Sequence, residues 1–230
     1  MKSLKPEFGN SSVSESRATR ELTSPKFSPH KSVRGFPGFV KRLLDVALSV
    51  AALVLLSPFF ALIALAVRIT DRGSILYRQT RVGMGGRWFT MYKFRTMHED
   101  AERDLGAIWA VPGDPRCTRV GYHLRRFGLD EFPQLWNVLR GDMSLVGPRP
   151  ERPEFTRKFS KELSDYDMRH DVRVGLTGYA QIHGWRGYTN LEERLRHDLY
   201  YLRNWSMRLD LYIVFMTLLR GWSERTRTGI

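Results

Sequence analysis

The sequence predicts a mostly helical α+β membrane protein, anchored by one broken helix that enters and leaves the bilayer on the same side. Residues 46–67 carry no charge over 22 positions, and such a run reaches across a hydrocarbon core of about 30 Å at helical rise. Ser57 and Pro58 lie near its middle, where proline removes one backbone hydrogen bond and clashes with the preceding turn.

Basic residues flank this run at both ends: Lys41, Arg42, Arg68, Arg72, Arg78 and Arg81. The positive-inside rule draws both ends to the cytoplasm, which favours a re-entrant hairpin. A kinked helix that spans the bilayer is the simpler alternative, because membrane helices tolerate proline.

The rest of the chain predicts a small sheet and several amphipathic helices. Extended segments at 75–79 and 87–94 flank a glycine-rich turn, and helical patterns cover 120–127, 152–169 and 192–203. Residues 205–219 are apolar on most sides but too short to span, so we expect an interfacial helix. The predicted units are a disordered basic tail at 1–38, a re-entrant membrane helix at 39–72, a domain at the cytoplasmic membrane surface at 73–222 and a tail at 223–230.

The charge balance calls for an anionic partner. Lys and Arg outnumber Asp and Glu by 37 to 24, for a formal net charge of +13. Nucleic acid, an acidic membrane face and phosphorylated substrates would all satisfy this charge. No nucleic-acid-binding signature accompanies it, and the apolar run favours a membrane. The single cysteine, Cys117, excludes an internal disulfide and fits a reducing compartment.

The densest pattern lies at residues 129–150. Asp130 and Glu131 precede an apolar-periodic run that ends at Gly141, which predicts a helix of two to three turns starting near Asp130. Pro133 fits only the first turn of that helix. A carboxylate at a helix start is usually a cap.

The surroundings of the paired carboxylates favour a site for phosphate and metal together. Four arginines lie within about twenty residues: Arg125, Arg126, Arg140 and Arg149. Asp130, Glu131 and also Asp142 could supply oxygens to magnesium, which typically binds one or two protein carboxylates together with substrate phosphates.

Three further stretches carry candidate phosphate ligands. Lys93 and Arg95 lie two residues apart on a predicted strand and so share a face, although a solvated basic strand is an equal alternative. Arg149 lies between two prolines that hold the backbone extended. In the 172–187 block, four glycines allow close approach to a ligand and Arg186 is a candidate contact. The histidine in that block, at position 183, is more often structural than catalytic.

These blocks resemble the bacterial sugar transferases, the monotopic polyprenyl-phosphate phosphoglycosyl transferases that initiate exopolysaccharide synthesis. The resemblance is carried by Leu-Asp-Glu-x-Pro-Gln-Leu-x-Asn-Val-Leu-x-Gly-Asp-Met-Ser-x-Val-Gly-Pro-Arg-Pro and extends from about Lys41 to about Trp222. Val174 stands where the family has a proline. The family's members embed by a helix broken at a Ser-Pro pair, and they also have an aspartate at the position of Asp198, whose alternative role is a capping or salt-bridged carboxylate.

The resemblance implies transfer of a hexose 1-phosphate from a UDP-sugar to undecaprenyl phosphate, with release of UMP. Asp130 would be the nucleophile that forms an aspartyl phosphosugar, and Glu131 would hold or orient a magnesium ion. The reaction would occur at the cytoplasmic face of the bacterial inner membrane, with membrane lipid but no nucleic acid as a partner and a homodimer left open. A non-enzymatic membrane-surface adaptor would explain the charge and the apolar run, but not the Asp-Glu pair among arginines.

Overall fold

The computed structural model describes residues 35–101, 113–187 and 189–228, with side chains described up to Leu219. The predicted basic tail lies outside the described residues up to position 34. The helices are α1 (Phe36–Leu55), α2 (Ser57–Thr70), α3 (Arg119–Phe127), α4 (Gln134–Arg140), α5 (Pro153–Glu162), α6 (Tyr179–Ile182), α7 (Leu191–Arg203) and α8 (Met207–Thr228). The strands are β1 (Leu76–Val82), β2 (Trp88–Phe94), β3 (Met143–Val146) and β4 (Val174–Thr177). The predicted mostly helical α+β composition is therefore confirmed.

The apolar run breaks where the sequence predicts. Pro58 lies in the first turn of α2, where its missing N–H leaves no helical bond unmade. Ser57 Oγ donates to the Val54 carbonyl at the end of α1 (2.8 Å). Across the break α1 and α2 are bent by 64°, and within the described residues only this pair together, rather than any single helix, has the length and apolarity of a membrane span.

The first helix is polar on its buried side and apolar on its exposed side. Asp45 and Ser49 are its buried residues, whereas Phe36 and Leu55 at its two ends are more than three-quarters exposed. This pattern reverses that of a soluble helix, which buries its apolar stripe. The helix also begins at Phe36, inside the stretch assigned to the tail.

Polar contacts fix the N-terminal half of α1 to the rest of the protein. Arg42 Nη1 and Nη2 donate to the Val138 and Leu139 carbonyls at the end of α4 (2.6 and 2.9 Å). Asp45 accepts hydrogen bonds from the Ser144 hydroxyl and the Leu145 N–H of β3 (2.7 and 3.1 Å). These contacts hold α1 against β3 and the last turn of α4.

The far end of α2 packs against the same part of the molecule. Ile63 and Val67 form a core cluster with Phe94 of β2 and Leu124 of α3. Both ends of the broken helix therefore contact one folded unit.

This unit contains two small sheets. β1 and β2 pair antiparallel from Leu76↔Phe94 to Val82↔Trp88, joined by the predicted glycine turn. β3 and β4 pair parallel, with Met143 opposite Val174. Alternation along β1 turns Tyr77, Gln79 and Arg81 to one face.

Two of the four glycines predicted to admit a ligand instead admit another backbone. A Cβ at Gly175 would lie 2.1 Å from the Gly147 nitrogen, and one at Gly178 would lie 2.3 Å from the Gly147 oxygen. Their missing side chains therefore let β4 and the following turn press against the chain after β3. Of these four glycines, only Gly184 and Gly187 have positive φ and open space around them.

The segment with the paired carboxylates is a turn rather than the start of a helix. Residues Leu129–Glu131 form a 3₁₀ turn after Gly128 (φ 66°), and α4 begins only at Gln134. Pro133 is the residue before α4, because its fixed φ suits the approach to a helix. The predicted glycine stop at Gly141 (φ 89°) is confirmed.

Other sequence expectations fail where tertiary packing decides. Phe127, an apolar residue of the helix predicted over 120–127, is 40% exposed. The helix expected over 152–169 stops at Glu162. Trp205, expected at headgroup depth, is buried and its Nε1 donates to Asp210 (3.2 Å). In addition, α8 continues to Thr228, through most of the predicted C-terminal tail.

Candidate active site

A cavity of about 320 Å³ collects almost all the predicted site residues. It lies against the inner face of β1, the end of β2, the 3₁₀ turn after α3 and the loop after β3. The predicted residues that line it are Lys93, Arg95, Arg125, Asp130, Glu131, Arg149 and Arg186. Residues far apart in sequence thus form one strongly basic pocket around the adjacent carboxylates of Asp130 and Glu131.

Glu131 is held by two cations. Lys93 Nζ lies 3.2 Å from Oε1, and Arg149 contacts both carboxylate oxygens of Glu131 through its two terminal nitrogens. Such a forked pair is stronger than a neutral hydrogen bond and fixes the plane of the carboxylate. The repulsion expected between adjacent carboxylates is therefore offset on the Glu131 side.

Asp130 is the carboxylate left open. It is only 7% exposed and lines the cavity, yet none of the described residues donates a hydrogen bond to it. Burial raises the pKa of Asp130 above its usual value, Lys93 lowers it and Glu131 raises it. Burial likewise lowers the pKa of Lys93, with Glu131 acting against that shift. A desolvated carboxylate near cations, with free lone pairs, can attack an electrophile or bind a metal.

Arg125 reaches the cavity because α3 packs closely on the chain after β2. A Cβ at Gly121 would lie 2.0 Å from the Thr96 carbonyl oxygen, so only glycine fits there. Arg125 Nε donates to the Thr96 hydroxyl (2.8 Å). This bond fixes the side chain along the cavity wall.

Lys93 and Arg95 both line the cavity, but their charged ends have different partners. The Arg95 guanidinium is buried, donates to the Asp71 carbonyl and lies 3.8 Å from the Asp71 and Glu99 carboxylates. Lys93 instead faces Glu131. The two cations therefore do not form a single diphosphate clamp in this conformation.

The sequence interpretation missed a second ion-pair group in the cavity lining. Glu151 accepts from Arg81 Nη1 (3.0 Å) and Arg194 Nη1 (3.4 Å), and all three residues line the cavity. Arg81 could have been found from the period-two alternation of β1, which places it on the same face as Tyr77 and Gln79. No comparable sequence signal marks Arg194, which lies on α7.

Asp198, which the resemblance places in the site, does not line the cavity. Its Oδ2 accepts from Arg169 Nη2 and Nε (2.6 and 3.1 Å), and both side chains are almost fully buried. Arg169 also donates to the Tyr166 hydroxyl (2.7 Å) and to the Arg149 carbonyl (2.9 Å). Asp198 is thus the salt-bridged carboxylate of the alternative interpretation. It holds Arg169, which in turn bonds the backbone of Arg149.

Two further candidates also lie outside the cavity lining. The His183 ring packs on Tyr179 at 4.4 Å between centroids, and its Nδ1 lies 2.8 Å from the Tyr179 carbonyl oxygen. Asp142 accepts from Asn137 Nδ2 (3.2 Å), while Asn137 bonds the backbone of Tyr92 and Thr90 and so docks α4 on β2. Both residues have structural partners.

The cavity suits a magnesium ion shared with a ligand better than one held by protein alone. Within the described residues, no three His, Cys, Asp or Glu side chains cluster as a metal site. Asp130 offers open oxygens, and magnesium commonly takes its remaining ligands from water and phosphate. At Glu131, Lys93 and Arg149 already contact the carboxylate oxygens and would compete with a metal ion for them.

Fold and site together define a protein that presents a buried carboxylate and several cations to an anionic ligand, beside a broken apolar helix. The chain belongs to the bacterial sugar transferase family, whose family model matches residues 36–224.

Individual relatives support this membership. The chain is 43% identical over 195 residues to UDP-glucose:undecaprenyl-phosphate glucose-1-phosphate transferase of Escherichia coli strain K12, covering 83% of this chain and 42% of that protein. It is 43% identical over 192 residues to UDP-N-acetylgalactosamine-undecaprenyl-phosphate N-acetylgalactosaminephosphotransferase of Aeromonas hydrophila, covering 81% and 45%. Over 221 residues it is 39% identical to exopolysaccharide production protein ExoY of Sinorhizobium fredii, covering 87% and 94%. The chain thus spans less than half the length of the first two relatives and nearly all of the third.

Proposed function

We propose that the protein transfers a hexose 1-phosphate from a UDP-sugar to undecaprenyl phosphate and releases UMP, as the first step in building an exopolysaccharide or O-antigen repeat unit. The observation that carries this proposal is the open, buried carboxylate of Asp130 in a pocket lined by cations. The names of the relatives, which specify UDP-sugars and undecaprenyl phosphate, support the same reaction class.

In the proposed first step, an Asp130 oxygen attacks the phosphorus that bears the sugar. A bond forms between that oxygen and phosphorus, the bond from phosphorus to the bridging oxygen breaks, and UMP leaves with the electron pair. In the second step, a phosphate oxygen of the lipid attacks the same phosphorus and displaces Asp130, which regenerates the carboxylate. Dividing the transfer in two lets donor and acceptor use one pocket in turn.

The cations of the pocket stabilise the charge that develops on the phosphoryl oxygens. Arg125 and Arg186 line the cavity with Asp130, and Arg149 is held in place by Glu131. Fixed cations in a water-poor site give strong electrostatic stabilisation, because they need no reorganisation during the reaction. A magnesium ion bound by Asp130 and the donor would neutralise further charge on the diphosphate.

We also propose that the protein is monotopic, with α1 and α2 forming a re-entrant hairpin from the cytoplasmic face of the bacterial inner membrane. Two observations support this. Both ends of the hairpin contact the same folded unit, and α1 buries polar residues while exposing apolar ones. α8 has an exposed apolar side, with Leu211, Phe215 and Leu218, that suits the membrane surface.

Release of UMP tests the proposed reaction. Purified protein in detergent, given undecaprenyl phosphate, magnesium and a panel of UDP-hexoses, should release UMP from at least one donor. Activity should vanish with excess chelator and return with magnesium. A membrane-surface adaptor would release no UMP from any donor, and full activity in excess chelator would remove the metal from the proposal.

Thiol labelling tests the topology. With Cys117 replaced by Ser, single cysteines at Ser32 in the predicted tail and at Arg72 should both resist a membrane-impermeant reagent added to intact cells with a permeable outer membrane. Both should react after the inner membrane is lysed. Labelling of only one of the two positions in intact cells would indicate a spanning helix.

A further inference from the structure

One residue that lines the same cavity has a buried amide oxygen without a hydrogen-bond partner among the described residues. Gln181 of α6 is 8% exposed and lines the cavity. Its Nε2 donates to the Leu176 carbonyl (3.2 Å), whereas no described residue donates to its Oε1. A buried polar atom without a partner is unfavourable, so it is commonly satisfied by a water or a ligand.

The orientation of this amide follows from its neighbour. A carbonyl oxygen only accepts hydrogen bonds, so the side-chain nitrogen must face Leu176 and the oxygen must point the other way. A Cβ at Gly178 would lie 3.3 Å from Gln181 Oε1. The same position lies 2.3 Å from the Gly147 oxygen, so glycine at 178 allows this backbone to pack close to the amide.

The surroundings indicate what Oε1 receives. The cations that line the cavity, including Arg186 on the same segment as Gln181, suit phosphate oxygens and cannot discriminate among uncharged groups. Gln181 Oε1 is a neutral acceptor, which pairs with a hydroxyl or an N–H. The uncharged donors on a UDP-sugar are the hexose hydroxyls and the imide N–H of uracil.

We propose that Gln181 is a specificity residue that accepts a hydrogen bond from an uncharged donor group of the nucleotide sugar. This inference rests on the proposed function and assigns the recognition of the donor's uncharged part to α6. A site that offers a buried acceptor rejects analogues that lack the matching donor, because the acceptor is then left unpaired.

The test uses Gln181→Met, which keeps the length of the side chain and removes the acceptor, with Gln181→Leu as a second variant if the first is insoluble. In the UMP-release assay, KM for the UDP-sugar should rise about tenfold, in addition to any fall in melting temperature caused by loss of the hydrogen bond from Nε2 to the Leu176 carbonyl. A residue with only a structural role would lower the melting temperature and leave KM unchanged. The matched control is Thr156→Val, which removes another buried atom without a described partner, outside the cavity; its KM should stay at the wild-type value.

Inhibition by UMP shows whether Gln181 bonds the uracil or the hexose of the nucleotide sugar. If Gln181 binds uracil, its replacement should weaken UMP inhibition by the same factor as it raises KM. If Gln181 binds the hexose, UMP inhibition should be unchanged, and one deoxyhexose donor should lose its disadvantage in the variant. An unchanged KM for a variant of an otherwise active protein overturns this inference alone, whereas a wild-type protein that releases no UMP from any donor overturns the proposed function.

Discussion

Asp198 and Asp130 are both acidic side chains near arginines. Their roles differ because their surroundings differ. Asp198 is enclosed with Arg169, and its described partners leave it no contact with the cavity. Asp130 is also buried but lines a cavity, while Lys93 and Arg149 contact its neighbour Glu131. A satisfied buried ion pair fixes a conformation. A buried carboxylate without a bonded cation retains its capacity to react.

This difference predicts that changes in the cavity alter activity, whereas changes in the enclosed pair alter stability. Four variants test this difference between the cavity and the enclosed pair.

The largest effect is expected for Asp130→Asn. Activity should fall more than about 10³-fold, because an amide is a poor nucleophile. Stability at neutral pH should not fall, because burial raises the pKa of Asp130 and the charged form is thus disfavoured in the folded state. Intact-protein mass spectrometry after incubation with donor alone should show a phosphosugar adduct on the wild-type protein only. An adduct on the variant would assign the nucleophile to another residue.

Asp198→Asn should have the opposite profile. Removing one charge leaves Arg169 buried without its counterion, which should lower the free energy of unfolding by about 3–5 kcal/mol. Chemical denaturation in detergent measures this loss. Glu162→Gln, at an exposed carboxylate of α5, is the matched control and should change stability by less than about 0.5 kcal/mol. Equal stability of the two variants would refute this difference.

His170 makes the enclosed region sensitive to acid. Burial, aided by the neighbouring Arg169, lowers the pKa of His170 from 6.5 to about 4. The unfolded chain therefore binds a proton before the folded one, so stability is complete above pH 6.5 and decreases as pH falls towards 4, by about 3 kcal/mol. Melting temperatures measured across this range should depend less on pH in His170→Gln than in wild type. Parallel curves for the two proteins would count against this assignment.

Glu131→Gln should give the smallest of the four effects. The side chain keeps its shape but loses the charge that holds Lys93 and Arg149, so we expect activity to fall about 10²-fold. Because Asp130 remains, a trace of adduct should still accumulate. Complete absence of adduct in a folded variant would show that Glu131 acts in the first step rather than by orienting its neighbours.

Local chemistry made the break at Ser57-Pro58, the glycine turn between the first two strands and the stop at Gly141 predictable from sequence. Each depends on the backbone preferences of one or two residues. The motif residues and the family resemblance also found seven of the residues that line the cavity.

Long-range packing decided what the sequence could not. Gly175 and Gly178 match a ligand-binding loop in pattern, but their partner is the backbone at Gly147, more than 25 positions earlier. Asp198 and Asp130 both have carboxylates in charged surroundings, and only the fold reveals which one faces the cavity. Trp205 is amphipathic in the sequence, yet Asp210 satisfies its N–H inside the core.

The contacts of Arg42 and Asp45 join the broken helix to the segments that form the candidate active site. Arg42 binds the final carbonyls of α4, which begins three residues after Glu131, and Asp45 binds the strand that leads to Arg149. These hydrogen bonds fix the position of α1 relative to the two segments that carry Asp130 and Arg149. In the proposed orientation, a bilayer whose thickness changes the tilt of α1 would also shift Asp130 relative to the lipid phosphate that it serves.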